Sequence, residues 1–341
     1  MAPQKKRTTL ADVAKVAGVS VQTASHVLAA NMTVRLPDST RRRVMEAAKQ
    51  VGYRPNRLAQ AMKAGKTDLI GVWIPLDRPV MIFLEALKEI NDHARKDGFD
   101  LMISGLDAHM AYTGEGKRPF SWPIDGLIAF DAGKAAARFR EDPSNDSVPL
   151  VVVGLERFEN SDSVAWNLLD SYKSVVRSLI ESGRRKIVHV TPKWIFDEYP
   201  REQRRRGYRE AMEDSGLEQK YIVVSEETIE ASYCATAEAI LDGIKPDAVV
   251  AFSDPIALGA SNALQEAGVD VPRDCVVWGC GDFPEARQYK VPLSTIRPPI
   301  GSVVDRAWQM LMSRIKDPTL ESRLEVLPME VVARKSSDPK A

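Results

Sequence analysis

The sequence predicts a small all-α unit followed by a larger α/β body made of two doubly wound parallel-sheet subdomains. Two observations lead to this prediction. Before Thr67, apolar side chains recur at helical spacing. After Thr67, short apolar runs alternate with amphipathic stretches, as in parallel strands joined by helices. With 341 residues, 44% of them hydrophobic, the chain is long and apolar enough for more than one packed core.

The first unit begins with two short helices separated by a glycine. Thr9 is a suitable N-cap for the first helix, Gly18 ends it, and Ser20 can cap the second. Their predicted inward faces are apolar and comprise Leu10, Val13, Ala14 and Ala17 in the first helix and Ala24, Val27 and Leu28 in the second. This arrangement is typical of a helix-turn-helix, whose second helix enters the major groove of DNA. An ordinary helical hairpin is the alternative.

A third helix favours the helix-turn-helix interpretation over the hairpin. It is predicted from Asp38 to Val51 and is stopped by Gly52. A fourth segment, 57–64, follows with Asn56 as its cap. That segment is shorter than the ~12–15 residues at which an isolated helix becomes stable in water, so we expect it to order on binding.

Charge is divided unevenly along the chain. Lys and Arg balance Asp and Glu at 47 each, yet residues 1–66 carry a net charge of +10 and the remainder carries −10. Because Lys and Arg that neutralise phosphates release condensed counterions, a basic unit of this size predicts a polyanionic partner. Nucleic acid is therefore the expected ligand of the first unit.

Several other classes of protein are disfavoured. No apolar run approaches the ~18 residues of a membrane span, and the first residues lack the apolar region of a signal peptide, so we expect a cytoplasmic protein without membrane contact. Cys234, Cys275 and Cys280 lack metal-ligand spacing and are expected to be small buried hydrophobes. His189 lies within an apolar run and is expected in the core. We find no phosphate loop, nucleophile elbow or metal motif, so neither an enzyme nor a cofactor or metal site is predicted.

The body is predicted from eight apolar runs of the buried parallel kind. These runs are LIGVWIP, DLMISG, DGLIAF, PLVVVG, KIVHVT, YIVVSE, DAVVAF and DCVVWG. Eight such strands over about 260 residues suit two subdomains better than one, with a ligand cleft at the carboxyl ends of the strands. A final segment, LEVLPMEVVAR, has strand character too.

Two stretches carry a specific resemblance, which continues at lower density to the end of the chain. They are TLADVAKVAGVSVQTASHVLA and TRRRVMEAAKQVGYRPNRLAQAMKAGKTDLIGVWIP. The chain resembles the LacI/GalR (lactose-repressor) family of bacterial transcription regulators. The resemblance implies a headpiece at 1–56, a hinge helix at 57–66 and, at 67–341, a two-lobed body like that of periplasmic binding proteins. It also implies subdomains built from discontinuous sequence.

The resemblance implies which residues meet DNA. Val21, Gln22, Ser25 and His26 are the expected readers of base edges; Gln22 suits adenine and Val21 a thymine methyl. His26 stands where the family usually has Arg, and a neutral imidazole reads guanine less well. Met62 replaces the usual Leu wedge of the hinge, for which an ordinary apolar contact is the alternative. The expected backbone and hinge contacts are Thr9, Ser20, Tyr53, Asn56, Arg57, Met62 and Lys63.

The resemblance also implies an effector site in the body. The expected ligands are Arg204, Ser253, Asp254, Asp282, Trp166 and Trp194, although core packing is the alternative for both tryptophans. Two positions that commonly hold sugar-binding acids are Gly154 and Gly281 here. Losing two carboxylates beside a retained arginine predicts a net positive pocket unless the adjacent Asp282 compensates, so the expected effector is sugar-like or anionic, and an anion such as a sugar acid or a phosphorylated sugar is favoured over a neutral monosaccharide.

The predicted function is a homodimeric repressor that binds a pseudo-palindromic operator with an affinity tuned by a small molecule. Two alternatives remain open: a solute-binding receptor with the same two-lobed fold, and a DNA-binding protein without an effector. The receptor would need an export signal and no basic headpiece. The second alternative would not need a body of this size.

Overall fold

The computed structural model divides the chain into two compact units, residues 1–67 and 68–341. The structure describes residues 8–28, 36–53, 66–76, 81–106, 123–154, 161–199 and 202–338. The boundary at Thr67 lies where the hydrophobic pattern changes from helical spacing to short apolar runs typical of strands. The functions assigned to the ranges 1–56, 57–66 and 67–341 stay predictions.

The first unit is a three-helix cluster. Its helices are α1 (Leu10–Ala17), α2 (Val21–Leu28) and α3 (Asp38–Gln50). Val13, Ala24 and Val44, one from each helix, are fully buried against one another. The buried centre of this core consists of valines and alanines, which let the three short helices approach closely, and larger side chains such as Leu10 and Tyr53 pack around it.

The second unit contains two six-stranded sheets flanked by helices. The strands are β1 (Leu69–Pro75), β2 (Asp100–Leu106), β3 (Gly126–Phe130), β4 (Leu150–Gly154), β5 (Asp162–Asn167), β6 (Ile187–Pro192), β7 (Lys220–Val224), β8 (Ala248–Ala251), β9 (Val276–Cys280), β10 (Ser294–Arg297), β11 (Leu324–Pro328) and β12 (Glu330–Val332). The helices are α4 (Met81–Asp97), α5 (Gly133–Glu141), α6 (Leu168–Glu181), α7 (Lys193–Glu198), α8 (Gln203–Asp214), α9 (Ile229–Leu241), α10 (Asp254–Glu266), α11 (Pro284–Gln288) and α12 (Ile300–Lys316). None of the described helices is both long and apolar enough to cross a membrane.

The two sheets have corresponding strand orders and differ in the direction of one edge strand. The first has the strand order β11-β5-β4-β3-β1-β2, with every pair parallel. The second has the order β12-β10-β9-β8-β6-β7, parallel except for the antiparallel pair of β10 and β12. We call the two halves lobe 1 and lobe 2. Each is doubly wound, which confirms the predicted fold class.

The chain passes between the lobes three times. It leaves lobe 1 after β5, returns between β10 and α12, and leaves again between β11 and β12. The predicted terminal segment LEVLPMEVVAR is therefore two strands, one at the edge of each sheet. Met329 between them is buried in the core. Each lobe is thus built from discontinuous sequence, as the resemblance implied.

All eight predicted strands are present, the strand-like terminal segment forms β11 and β12, and the structure adds β5 and β10. The sequence of β5, DSVAWN, is fully buried up to Trp166 although it contains Asp and Ser. This strand was not predicted, because Asp162 and Ser163 interrupt the apolar run that is typical of a buried strand. That charge is explained by its partners.

Asp162 at the start of β5 is a buried carboxylate held by two arginines. Arg314 of α12 donates from Nε to Oδ2 (2.8 Å) and from Nη2 to Oδ1 (3.1 Å). Arg323, just before β11, donates from Nη2 to Oδ2 (2.9 Å) and from its backbone nitrogen to Oδ1 (2.9 Å). Burial opposes ionisation, but the two arginines outweigh it and lower the pKa of Asp162 to about 2.

Cys275 and Cys280 are buried as predicted, but the prediction for Cys234 was wrong. Cys234 lies on the exposed side of α9, whereas Ser232 and Thr236 face α10 and are buried. The close approach of the two helices explains the difference: a side chain at Gly259 would meet the backbone of α9. The small polar residues therefore face inward, and the cysteine faces solvent.

His189 is a buried core residue, as its apolar strand predicts. Its Nδ1 lies 2.9 Å from the carbonyl oxygen of Val250 and 3.0 Å from the hydroxyl oxygen of Tyr172. Tyr208 and Tyr221 pack around the ring. Burial is the main reason that the pKa of His189 falls to about 3, so the imidazole stays neutral in the folded protein.

We expect Asp162→Asn to destabilise the protein by about 3 kcal/mol, because it leaves two arginines without their buried countercharge. Urea denaturation would measure this loss. Glu325→Gln is the matched control, since it breaks the partly exposed Arg306–Glu325 pair and is expected to cost less than about 1 kcal/mol. Equal effects of the two substitutions would contradict the importance of the Asp162 cluster.

We expect His189 to make the protein sensitive to acid. The unfolded chain binds a proton near pH 6.5 and the folded chain does not, so this residue's contribution lowers stability by about 1.4 kcal/mol per pH unit between about pH 6.5 and 3. In His189→Asn, the amide can still donate to Val250. Its free energy of unfolding is expected to fall about 2 kcal/mol less than that of the wild type between pH 6.5 and 5. Parallel pH profiles would argue against this origin.

Candidate functional site

The four predicted base readers lie on one face of α2. Val21 is 49% exposed, Gln22 is exposed, and Ser25 and His26 are half-buried on the same side. The opposite side of α2 is buried in the three-helix core. The helix therefore presents one short, contiguous surface of an apolar group, an amide, a hydroxyl and an imidazole, which are groups that can contact base edges.

Caps hold the first two helices in place. The Thr9 hydroxyl accepts from the Asp12 backbone nitrogen (3.4 Å) while the Asp12 carboxylate accepts from that of Thr9 (2.8 Å). Gly18 has the left-handed conformation (φ 63°) that ends α1. The Ser20 hydroxyl accepts from the Thr23 backbone nitrogen (3.0 Å) and so caps α2. Thr9 and Ser20 thus orient the helices, and both remain exposed.

Of the remaining predicted DNA contacts, Tyr53 lies within the described residues and the four hinge residues do not. Tyr53 packs partly buried against the three-helix core. Exposed cations on α3 include Arg42, Arg43 and Lys49, which are available to phosphate. The hinge residues Asn56, Arg57, Met62 and Lys63 lie outside the residues that the structure describes.

In lobe 2, the structure brings Arg204, Trp194 and the end of β8 together. The Arg204 Nη1 donates to the Phe252 carbonyl oxygen (3.0 Å), and its guanidinium carbon lies 3.3 Å from the centroid of the Phe252 ring. Trp194 meets the same ring edge-on, with centroids 6.4 Å apart. Ser253 follows Phe252 directly. These residues lie where the carboxyl ends of parallel strands bind ligands in open α/β sheets.

Arg204 already has a buried countercharge, which sequence reasoning missed. Glu202, whose side chain is 7% exposed, accepts from Nε of Arg204 at 2.8 Å. Glu202 also caps α8 by accepting from the backbone nitrogens of Arg204 and Arg205. Burial works against the arginine's charge, but Glu202 outweighs it and raises the pKa of Arg204. Because Glu202 offsets the charge of Arg204, the arginine does not make this site net positive.

Asp254 has both carboxylate oxygens engaged by the protein. Oδ1 accepts from the Thr295 hydroxyl (2.7 Å), and Oδ2 accepts from the Phe283 backbone nitrogen (2.7 Å). The residue is fully buried, and burial raises its pKa to about 6 in spite of these bonds. Asp254 ties the start of α10 to the ends of β9 and β10. Its role as an effector ligand stays a prediction.

Asp282 lies among three arginines rather than beside Arg204. Its side chain is 1% exposed; Oδ2 accepts from Arg297 (2.5 Å) and Arg287 (2.8 Å), and Oδ1 accepts from Arg334 (2.5 Å). Burial opposes its charge, but the arginines prevail and lower its pKa. Its backbone is left-handed (φ 58°), which turns the chain after β9. An effector-binding role for Asp282 stays a prediction.

In lobe 1, Trp166 is buried within the core at the end of β5. Gly154 ends β4 with φ 145°, and a Cβ atom there would fall on the carboxylate of Asp131. A carboxylate therefore occupies the space over the glycine, supplied by the residue after β3. The sequence held no signal for this placement, because Asp131 and Gly154 are far apart along the chain.

Two hydroxyls near the strand ends of lobe 2 are buried and have no hydrogen-bond partner among the described residues. They are Oγ of Ser253, just after β8, and Oγ1 of Thr191, near the end of β6. A buried hydroxyl without a partner is costly, so such groups mark places where an additional polar group satisfies them. Their chemistry suits hydroxyl groups of a ligand.

Comparison with known proteins gives matches to both units. Residues 9–56 match the family described as bacterial regulatory proteins, lacI family, and residues 176–337 match the periplasmic binding protein-like domain. The catabolite control protein A of Priestia megaterium is 28% identical, with 96% of this chain and 99% of that protein covered. The ribose operon repressor of Haemophilus influenzae is 28% identical, covering 96% and 98%.

Solved structures share the fold along nearly the whole chain. A LacI-family transcriptional regulator from Silicibacter pomeroyi has a TM-score of 0.78 and 23% identity, covering 96% of this chain and 99% of that one. The lac repressor dimer bound to operator and the anti-inducer ONPF has a TM-score of 0.75 and 22% identity, covering 97% and 99%.

A helix-turn-helix unit joined to a two-lobed body of this type defines a DNA-binding transcriptional regulator. The chain thus combines a lacI-family DNA-binding domain with a periplasmic binding protein-like domain, and its relatives are LacI-family regulators. That family is made of regulators rather than enzymes. The resemblance inferred from the sequence is therefore confirmed.

Proposed function

We propose that this protein is a homodimeric repressor that binds a pseudo-palindromic operator and responds to a small sugar-like effector. The observation that carries the proposal is the exposed face of α2, which presents Val21, Gln22, Ser25 and His26 on a capped helix. Each headpiece would read one half-site, because two-fold symmetry of a dimer requires a near-palindromic site. An operator on chromosomal DNA implies a cytoplasmic protein.

Within this face, Gln22 is the proposed reader of adenine and Val21 the proposed contact to a thymine methyl. His26 presents at most one donor to guanine when neutral, so the base at that position should be read weakly. Met62 is the proposed wedge of the hinge on sequence grounds alone. Phosphate contacts from the α3 cations would position the headpiece without carrying sequence information.

Exposed apolar residues at equivalent edges of the two sheets support the homodimer. Ile103 on the edge strand β2 is 54% exposed, with Leu76 and Leu84 also exposed in the same lobe. Lobe 2 has Val223 exposed on β7, the strand that corresponds to β2. Unpaired edge strands with exposed apolar side chains invite pairing, and a second copy of this chain would cover both edges at once.

The ends of the lobe 2 strands support a neutral effector over an anionic one. Glu202 offsets the charge of Arg204, and the buried hydroxyls of Ser253 and Thr191 lack partners among the described residues. Rings of Phe252 and Trp194 lie beside them. Hydroxyls, a neutralised arginine and aromatic faces together suit a sugar. The relative named as a ribose operon repressor and a solved regulator with bound ribose are consistent with this class.

Effector binding would change how the lobes face each other and so change operator affinity. Such a coupling free energy is typically about 1–3 kcal/mol. The relatives are transcriptional regulators, which disfavours the solute-binding receptor as an alternative.

We expect Gln22→Ala to weaken operator binding by about 1–3 kcal/mol and to relax specificity at one base pair, because a bidentate contact is lost. Operator sequences from in vitro selection, titrated by fluorescence anisotropy against a scrambled duplex, provide the measurement. Gln50→Ala, an exposed glutamine at the end of α3, is the matched control. An unchanged ratio of the two affinities in Gln22→Ala would rule out Gln22 as a reader.

We expect neutral pentoses, hexoses or disaccharides, rather than sugar acids or sugar phosphates, to raise the melting temperature. Ser253→Ala should leave the stability of the ligand-free protein nearly unchanged. It should weaken binding of the stabilising sugar by about 0.5–1.5 kcal/mol, because only a hydrogen bond to the ligand is lost. Ser302→Ala on the exposed face of α12 is the control. If only sugar acids or sugar phosphates raised the melting temperature, the proposal of a neutral effector would be wrong.

A further inference from the structure

Two of the three passages between the lobes meet in one ion pair. Arg297 is the last residue of β10, just before the chain returns to lobe 1, and Glu330 is the first residue of β12, just after it leaves again. The two residues are register partners, and Nη1 of Arg297 donates to Oε2 of Glu330 at 2.9 Å. This pair therefore lies at the point where lobe motion must bend the chain.

Asp282 holds the same arginine from the other side. Nε of Arg297 donates to Oδ2 of Asp282, while Oδ1 accepts from Arg334, which follows β12. Arg334 is fixed in turn, since its Nη1 donates to the Leu293 carbonyl oxygen (2.7 Å). A single buried carboxylate thus binds the residue that ends β10 and the residue that follows β12.

The network continues to the predicted effector site. The backbone nitrogen of Asp282 donates to the Thr295 hydroxyl oxygen (3.3 Å), and that hydroxyl donates to Asp254 (2.7 Å). Asp254 follows Ser253 at the start of α10. A continuous series of hydrogen bonds and ion pairs therefore runs from Asp254, next to Ser253, to Glu330 at the passage between the lobes.

We propose that Asp282 is a positioning residue that holds Arg297 and Glu330, and through them couples the wall of the effector site to the two passages. This inference rests on the proposed function and deepens it. Asp282 acts on the effector response without being an effector ligand. Because three arginines already occupy its oxygens, its task is to fix the angle at which β10 and β12 leave lobe 2.

The network has a rigid part and an adjustable part. The Asp282 side chain is nearly inaccessible, so its ion pairs are poorly screened by solvent. Glu330 is 60% exposed, so its bond to Arg297 is the weakest link and the one that breaks first when the lobes move. Substitution of Glu330 therefore loosens the passages without unfolding the core.

The first arm of the test uses hydrogen exchange on the full-length protein without DNA or ligand. In Glu330→Gln, amides of segments 294–300 and 329–332 should exchange at least about threefold faster than in the wild type. Glu325→Gln is the matched control, because it also breaks one Arg–Glu pair on a terminal strand but lies in lobe 1, outside the network. The control should leave both segments unchanged.

The second arm measures affinity for an operator obtained by selection, again without effector. Glu330→Gln should change the dissociation constant at least about threefold, and Glu325→Gln should not. Asp282→Asn, which keeps the shape of the side chain, should change affinity in the same direction as Glu330→Gln. Neither Glu330 nor Asp282 belongs to the DNA-binding unit, so a merely local structural role would not alter operator affinity.

The outcomes separate the two proposals. Unchanged exchange in Glu330→Gln would overturn the network, whatever the DNA result. Faster exchange with unchanged operator affinity would mean that the network is structural only, which would overturn the positioning role of Asp282. If the wild type bound no selected DNA, the proposed function would fail and the coupling with it, while the exchange result would still report on the ion pairs.

Discussion

The buried ion cluster at Asp162 is the interaction on which the body of this protein depends. Lobe 1 cannot be completed by the first half of the chain, because α12 and β11 come from residues 300–328. Asp162 lies at the start of β5 and binds Arg314 and Arg323 from that later segment. A carboxylate buried without those partners would be strongly unfavourable, so β5 and the returning chain stabilise each other.

This dependence has a topological consequence. The same returning chain that closes lobe 1 must leave again through β12, which closes the edge of lobe 2. The two lobes are therefore linked by three short passages rather than by one flexible linker. Relative motion of the lobes is confined to bending at those passages, and their ionic partners bear directly on the effector response that we propose.

Much of the fold could be predicted from the sequence, and the exceptions have physical causes. The eight apolar strands were predictable because burial on both faces demands continuous apolar runs. The cap residues Thr9 and Ser20 were predictable because capping is local in sequence. β5 was missed because its aspartate is compensated by arginines more than 150 residues away. Cys234 was misassigned because helix spacing alone did not indicate which side of α9 faces α10.

In the candidate site, too, local features could be predicted from the sequence, whereas contacts between distant elements could not. The sequence placed Arg204, Ser253 and Trp194 on elements that do come together, since strand ends of one sheet share an edge. It gave no sign of Glu202 as a countercharge or of the three arginines around Asp282, because pairings of side chains between elements depend on tertiary packing. Glu202 changes the charge expected around Arg204, whereas the role of these residues in effector binding stays a prediction.

The glycine at the end of β4 limits which side chains this end of the lobe 1 sheet can accept. Position 154 has a backbone conformation that side chains rarely adopt, and Asp131 fills the space above it. A side chain introduced there would have to displace the Asp131 carboxylate and adopt a strained backbone conformation. A single substitution at position 154 would therefore change the surroundings of two residues at once, so its effect could not be assigned to residue 154 alone.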